Sequence, residues 1–244
     1  RALSMAIDRN QMNETFWLGL GTPGSACPAE NMPQNPGPEW RAKWSTLDVA
    51  QANRMLDAIG LTRKDSEGYR LRTDNGQRLR FQIQTVRAFL PWPQQMEMVA
   101  QHWRRVGIFA EVREMERVLS LTRIQNNEHQ IMVWTNGGTE LLYLFPRHAI
   151  PVDPVEAYMG PEFAKWFASG GRLGREPTDP NLKRIFELFN SAAGQRDAER
   201  NNTAKEIWKI LVDQQYSIGT VGQSPALMGV RMVSRRMGNI PSRA

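Results

Sequence analysis

The chain has 244 residues, 41% of them hydrophobic, enough to bury a sizeable core, and no apolar run reaches the roughly eighteen residues of a membrane-spanning helix. A single cysteine, Cys27, excludes an internal disulfide framework and a paired-cysteine metal or redox site. The net charge of +6 comes from Arg and Lys scattered singly among Asp and Glu, concentrated only at Arg231, Arg235 and Arg236, so the basic balance is not a nucleic-acid footprint.

Arg1-Ala2-Leu3-Ser4-Met5-Ala6-Ile7 is already apolar at helical spacing, with no capping residue ahead of it and no initiator Met. The expectation is one opening helix to about Leu18, in a chain cut from a longer protein. The prolines and glycines between Thr22 and Pro38 predict an irregular surface segment. Trp40 and Trp44, four apart, share one face of a short turn. Thr46 is placed to cap a helix whose apolar stripe is Val49, Ala52, Met55, Leu56 and Ile59 and which Gly60 closes. Asp74-Asn75-Gly76-Gln77 suits a tight hairpin leading into the next strand.

From Leu79 to Trp134 the pattern is strand, helix, strand, helix, strand. Leu79, Phe81, Ile83 and Thr85 alternate with polar residues, as in a strand with one buried face. Met96, Val99, Ala100, Trp103 and Val106 then line one side of a helix closed by Gly107. A strand from Ile108 to Met115, a helix from about Arg117 to Asn126 and a strand from Gln130 to Trp134 complete the series, which ends in Thr135-Asn136-Gly137-Gly138. Loops at the carboxyl ends of strands in an α/β layer are where ligands tend to bind.

Beyond Trp134 a short helix is expected at Thr139 to Phe145, then proline-rich chain. Helices follow at Pro180 to Ala193, with Leu182, Ile185, Phe186 and Phe189 buried, and at Asp197 to Gln214, with Ala204, Ile207, Trp208 and Leu211 buried. Strands at Tyr216 to Val221 and Ala226 to Val233 end the series. Catalysis finds little support: His102, His129 and His148 lack metal-ligand spacing, no phosphate-cradling glycine loop or G-x-S-x-G turn occurs, and Asp153 with Glu156 is a pair in sequence only. No catalytic residue, metal site or cofactor is assigned.

Five motifs in this order carry a resemblance. They are R-A-L-x-x-A-I-D-R at Arg1 to Arg9, G-x-G-T-P at Gly19 to Pro23, D-x-x-x-A-x-x-x-L-x-x-x-G at Asp48 to Gly60, the hairpin strand, and Trp103-Arg104-Arg105-Val106-Gly107-Ile108 before a strand. The chain resembles the family 5 extracellular solute-binding proteins of ABC importers, whose members bind peptides, nickel complexes or oligosaccharides. The resemblance implies an α/β periplasmic-binding-protein fold (type II, cluster C), a mixed sheet flanked by helices. Residues 1–225 would form the C-terminal ligand-binding lobe and residues 226–244 the start of the return into the N-terminal lobe. It further implies a monomer in the periplasm, with a signal peptide upstream, that delivers a small-molecule solute to an ABC permease in the inner membrane. A non-transport receptor or chaperone-like role on the same fold is the alternative.

In peptide-binding relatives the third-strand loop carries a Trp followed by an aspartate that receives the ligand's amino terminus. Trp134 and Thr135 match, but Asn136-Gly137 stand where the acid is expected, and the nearest carboxylate is Glu140. A buried ammonium needs a fixed opposite charge. The substitution therefore points to a hydroxyl-rich ligand against an aromatic wall at Trp134, with Thr135, Asn136 and the Gly137 backbone as polar partners. The competing reading makes Trp134 a core residue at a strand end. Arg87 matches the basic residue that relatives use for a ligand carboxylate, and Trp92 is either a rim contact or a loop anchor.

Overall fold

The computed structural model describes residues 1–222, 234 and 236–238. The strand expected at Ala226 to Val233 lies outside the described residues.

The opening helix is two helices. α1 (Ala2–Met5) stops at Ala6, and α2 (Arg9–Trp17) starts afresh because the Asp8 carboxylate accepts from Gln11 N at 2.9 Å and caps it. The break is tied down from outside: Asp8 N donates to His102 Nδ1 and Trp103 Nε1 donates to Leu3 O. A two-residue strand β1 (Thr22–Pro23) and a short helix α3 (Glu39–Ala42) follow. Lys43 Nζ sits over the rings of both Trp40 and Trp44. Helix α4 (Val49–Ala58) is capped by Asp48, which accepts from Gln51 N at 2.7 Å, and not by Thr46. A carboxylate directly before the first turn reaches the free amides that Thr46 lies too far back to meet. The hairpin at Asn75-Gly76 is held by the isolated bridge of Leu71 with Arg78, by Arg72 N donating to Gln77 O and by Leu79 N donating to Arg70 O.

The central series is β2 (Arg80–Val86), α5 (Trp92–Arg104), β3 (Phe109–Met115), α6 (Arg117–Gln125) and β4 (Ile131–Met132). All pairings are parallel and the order is β3-β2-β4, with Ile83 opposite both Val112 and Ile131. The chain steps from β2 out to β3 and back across to β4, so right-handed crossovers put α5 and α6 on opposite faces. The side chains agree: Phe81 meets Trp103 of α5, whereas Gln84, three residues on, donates to Ser120 of α6 at 2.6 Å. β2 is therefore covered on both sides, and Ile83 to Val86 are buried without alternation, where the sequence suggested a single buried face. β4 is shorter than expected because Gln82 N donates to the Gln130 side chain at the point where ladder pairing would begin.

Met96, Val99, Trp103 and Val106 pack with Ile83 and Ile108 in the first core, each worth roughly 1.5–3 kcal/mol of burial before chain entropy. Gly107 (φ +76°) ends this helix, and a Cβ there would meet Gly68 O at 2.9 Å. A second core forms around α7 (Pro161–Ala168), α8 (Pro180–Ser191) and α9 (Asp197–Gln214), with Ile185, Phe186, Ile207 and Trp208 at its centre. Thr139 to Phe145 forms turns and not a helix, since the Thr139 hydroxyl donates to Asn136 O and Pro146 follows at once. The strand expected from Tyr216 is only β5 (Val221–Gly222), antiparallel to β1. Gly219, just before it, lies so close to the Ser25–Ala26 backbone that a Cβ would fall 2.3 Å from Ser25 C. Among the described residues no helix is long and apolar enough to cross a membrane.

Candidate functional site

The parallel pairing brings the carboxyl ends of β2, β3 and β4 to one edge, with β2 as the point where the strand order reverses. Three loops leave there: 87–91, 116 and 133–139. In the first, Leu90 N donates to Ala88 O at 2.6 Å and Trp92 N to Leu90 O at 2.8 Å, a tight double turn that delivers Trp92 and Pro93 to the start of α5. Phe89 lies inside it with φ +59°. In the third, Trp134 leaves β4 and meets Trp92 with ring centroids 5.0 Å apart, Phe89 at 5.9 Å and Tyr158 at 5.8 Å. From the second, Arg117 at the start of α6 sets its guanidinium 5.0 Å from the centre of the Trp134 ring. The row continues through Tyr158, stacked on His148 at 4.7 Å, to Phe145, edge-on to His148 at 4.8 Å.

Each residue singled out in the sequence has a definite place. Trp134 is half-buried inside this wall. Trp92 is only 2% exposed, which makes it the anchor beneath the loop. Thr135 is half-buried, while Asn136 and Gly137 are exposed and the Asn136 amide donates to Ala26 O at 3.3 Å. Glu140 is buried in the turns that follow. Arg87 is exposed and paired with Glu114 from the neighbouring strand. Trp92, Trp134 and the 135–137 loop are thus brought together, with Arg87 at the β2–β3 side of the same edge.

Sequence reasoning missed Phe89, Arg117 and Tyr158. Phe89 had a signal, a large apolar residue three positions past a strand end and just before Pro91-Trp92-Pro93. Tyr158 had none, because the chain around it has no periodicity.

His148 is neutral here. Burial, then the Arg147 guanidinium, lower its pKa to about 4, against a hydrogen bond to the Thr135 backbone that pulls upward. Tyr158 is pushed up to about 12 by burial and by Glu156, itself paired with Arg147. Imidazole in an unfolded chain takes its proton near pH 6.5. Between that value and about 4 the unfolded state binds more protons, so stability falls as pH drops through this window. Discounted for partial exposure, the loss is on the order of 1–2 kcal/mol. Urea unfolding at pH 7 and pH 5 should show it, and His148→Gln should flatten the difference; His102, whose pKa burial also lowers, keeps its own share of the same slope. An unchanged slope in the variant would contradict the assignment.

Two depressions lie elsewhere, about 630 Å³ beside Asp8, Glu14, Glu30 and Arg41 and about 410 Å³ beside Glu199, Thr203 and Lys209. Neither is lined by a residue of the aromatic wall. Among the described residues no group of three or more His, Cys, Asp or Glu side chains is placed to hold a metal ion.

Comparison with solved structures places this geometry. The "oligopeptide-binding protein OppA" is 27% identical, with a TM-score of 0.81 over 90% of this chain and 36% of its own. NikA from Brucella suis, in complex with Fe(III)-EDTA, is 19% identical, with a TM-score of 0.68 over 96% of this chain and 44% of its own. The periplasmic binding protein MelB from Agrobacterium fabrum C58, in complex with stachyose, is 16% identical, with a TM-score of 0.68 over 90% of this chain and 32% of its own. The chain thus spans well under half the length of these structures. No curated protein matches it. The mixed α/β layer, a parallel sheet flanked by helices, is that of periplasmic binding proteins. The family model "Bacterial extracellular solute-binding proteins, family 5 Middle" matches residues 1–141, from α1 through the Trp134 loop. With more than half of its length matched, and with a fold shared with OppA and NikA, this chain belongs to the family 5 bacterial extracellular solute-binding proteins.

Proposed function

We propose that residues 1–225 form the C-terminal lobe of the extracytoplasmic binding component of an ABC importer, with residues 226–244 beginning the return into the other lobe. The lobe captures a polar solute against a second lobe and hands it to a membrane permease, without catalysis. The observation that carries this reading is the aromatic wall of Phe89, Trp92, Trp134 and Tyr158, which stands where three parallel strands end. Such a wall, with the Asn136 amide and the Gly137 backbone beside it, suits a neutral, hydroxyl-rich solute of the oligosaccharide kind. The relatives leave room for that choice: one is named for oligopeptides, one holds Fe(III)-EDTA and one holds stachyose.

Capture by closure requires the solute to favour the closed state through contacts with both lobes. One lobe offers only part of them. The 244-residue chain alone should therefore bind stachyose or the protein's own solute at least about 100-fold more weakly than the complete protein, as read by calorimetric titration. Equal affinity would argue against capture between lobes.

A further inference from the structure

The wall has an inside and an outside, and Trp134 is on the inside. The guanidinium of Arg117 lies over its ring, and Trp92, Tyr158 and Phe89 surround it. Trp92 is buried, and Tyr158 is stacked against His148. Phe89 differs from all of these: it is 72% exposed. It approaches both tryptophans edge to face, at 77° in each case, and most of its surface stays open.

Its backbone makes the point sharper. A φ of +59° is a left-handed conformation that crowds the Cβ of any residue except glycine, and an aromatic side chain adopts it at a cost. The two consecutive turns at Ala88–Leu90 and Leu90–Trp92, with Pro91 and Pro93 stiffening the chain, hold it there. Folding gains little from this residue, since its backbone is strained and its apolar surface lies in water. Neighbouring charge does not explain it either, because Arg87 is paired with Glu114.

We infer that Phe89 is the ring on which the bound solute rests, with Trp134 as its support, and that it selects a neutral face of C–H bonds. This rests on the strand-end edge being the ligand face, as proposed above. Two solutes supply such a face: the pyranose rings of an oligosaccharide and the apolar side chains of a peptide.

The test uses the complete protein with stachyose and tri-leucine as calorimetric probes, in wild type, Phe89→Gly and Phe89→Tyr. Wild type should bind one of the two, and which one it binds identifies the source of the C–H face. Phe89→Gly should weaken that binding about tenfold or more, and Phe89→Tyr should stay within about threefold. The melting temperature of ligand-free Phe89→Gly should stay within about 2 °C of wild type or rise, because glycine relieves the left-handed strain. Unchanged affinity in Phe89→Gly would overturn the inference, and so would a melting temperature lowered by more than about 4 °C, which would make the ring a structural contact. Wild type binding neither probe would overturn it as well. The proposed transport role fails on a different result, a complete protein that carries no solute at all.

Discussion

Arg9→Met should lower the unfolding free energy by about 3–5 kcal/mol, read from urea unfolding at neutral pH. Arg9 is 3% exposed and, among the described residues, hydrogen-bonds to no carboxylate. Its guanidinium instead donates to Ser4 O at 2.8 Å, Ser4 Oγ at 2.7 Å, Ser45 O at 2.9 Å and Gly219 O at 2.9 Å. Burial lowers its pKa to about 10, so it stays charged at pH 7. One planar fork thus joins the end of α1, the segment before α4 and the irregular stretch before β5. Methionine fills part of the volume and leaves those oxygens facing an apolar side chain, each at about 1–3 kcal/mol before relaxation. Arg9→Lys keeps the charge but places its donors on a single nitrogen that does not span the same acceptors, so it should recover less than half of the loss. A change under about 1 kcal/mol in Arg9→Met would mean that water replaces the fork.

This strut marks a boundary of what sequence patterning shows. Arg9 stood in view as the last residue of R-A-L-x-x-A-I-D-R, yet an arginine in sequence does not announce whether its partners lie five residues away or at Gly219. Arg70, 1% exposed and donating to Val106 O, Asn53 Oδ1 and Asp57 Oδ1, is a second case hidden for the same reason. A net charge of +6 therefore includes cations that serve the interior and meet no partner outside. Local periodicity, by contrast, carried the central series. The stripe at Met96, Val99 and Trp103 and the cap at Gly107 are short-range physics, and the structure has them as read. Where a side chain competes with the backbone, reading failed: Asp8 splits one expected helix into two, and Gln130 shortens β4. The candidate site was half legible. Trp92 and Trp134 sit beside strand ends, but Arg117 and Tyr158 join them only through the crossover of α6 and an unpatterned loop.

The second large effect is on capture. Trp134→Ala removes the centre of the wall, leaving Phe89 with only one of its two edge-to-face partners and Arg117 without its ring. Solute binding by the complete protein should fall at least about 100-fold, the size expected of a central aromatic anchor. Because Trp134 is half-buried among other rings, the same change should also cost about 1–3 kcal/mol of stability, less than a fully buried tryptophan. Trp134→Phe keeps a ring in place and should retain most of both. A variant that loses stability but binds normally would make Trp134 a core residue only.

Mass spectrometry of small molecules released on denaturing the complete protein, purified without denaturation from its native compartment, tests solute capture most directly. The expected result is a neutral, hydroxyl-rich solute, a sugar or sugar conjugate, that is absent from the Trp134→Ala preparation. A peptide with a free amino terminus would contradict the neutral-ligand reading and point to Glu140 as the carboxylate that receives it. Release of nothing, from a protein that also binds no solute in titration, would contradict capture itself.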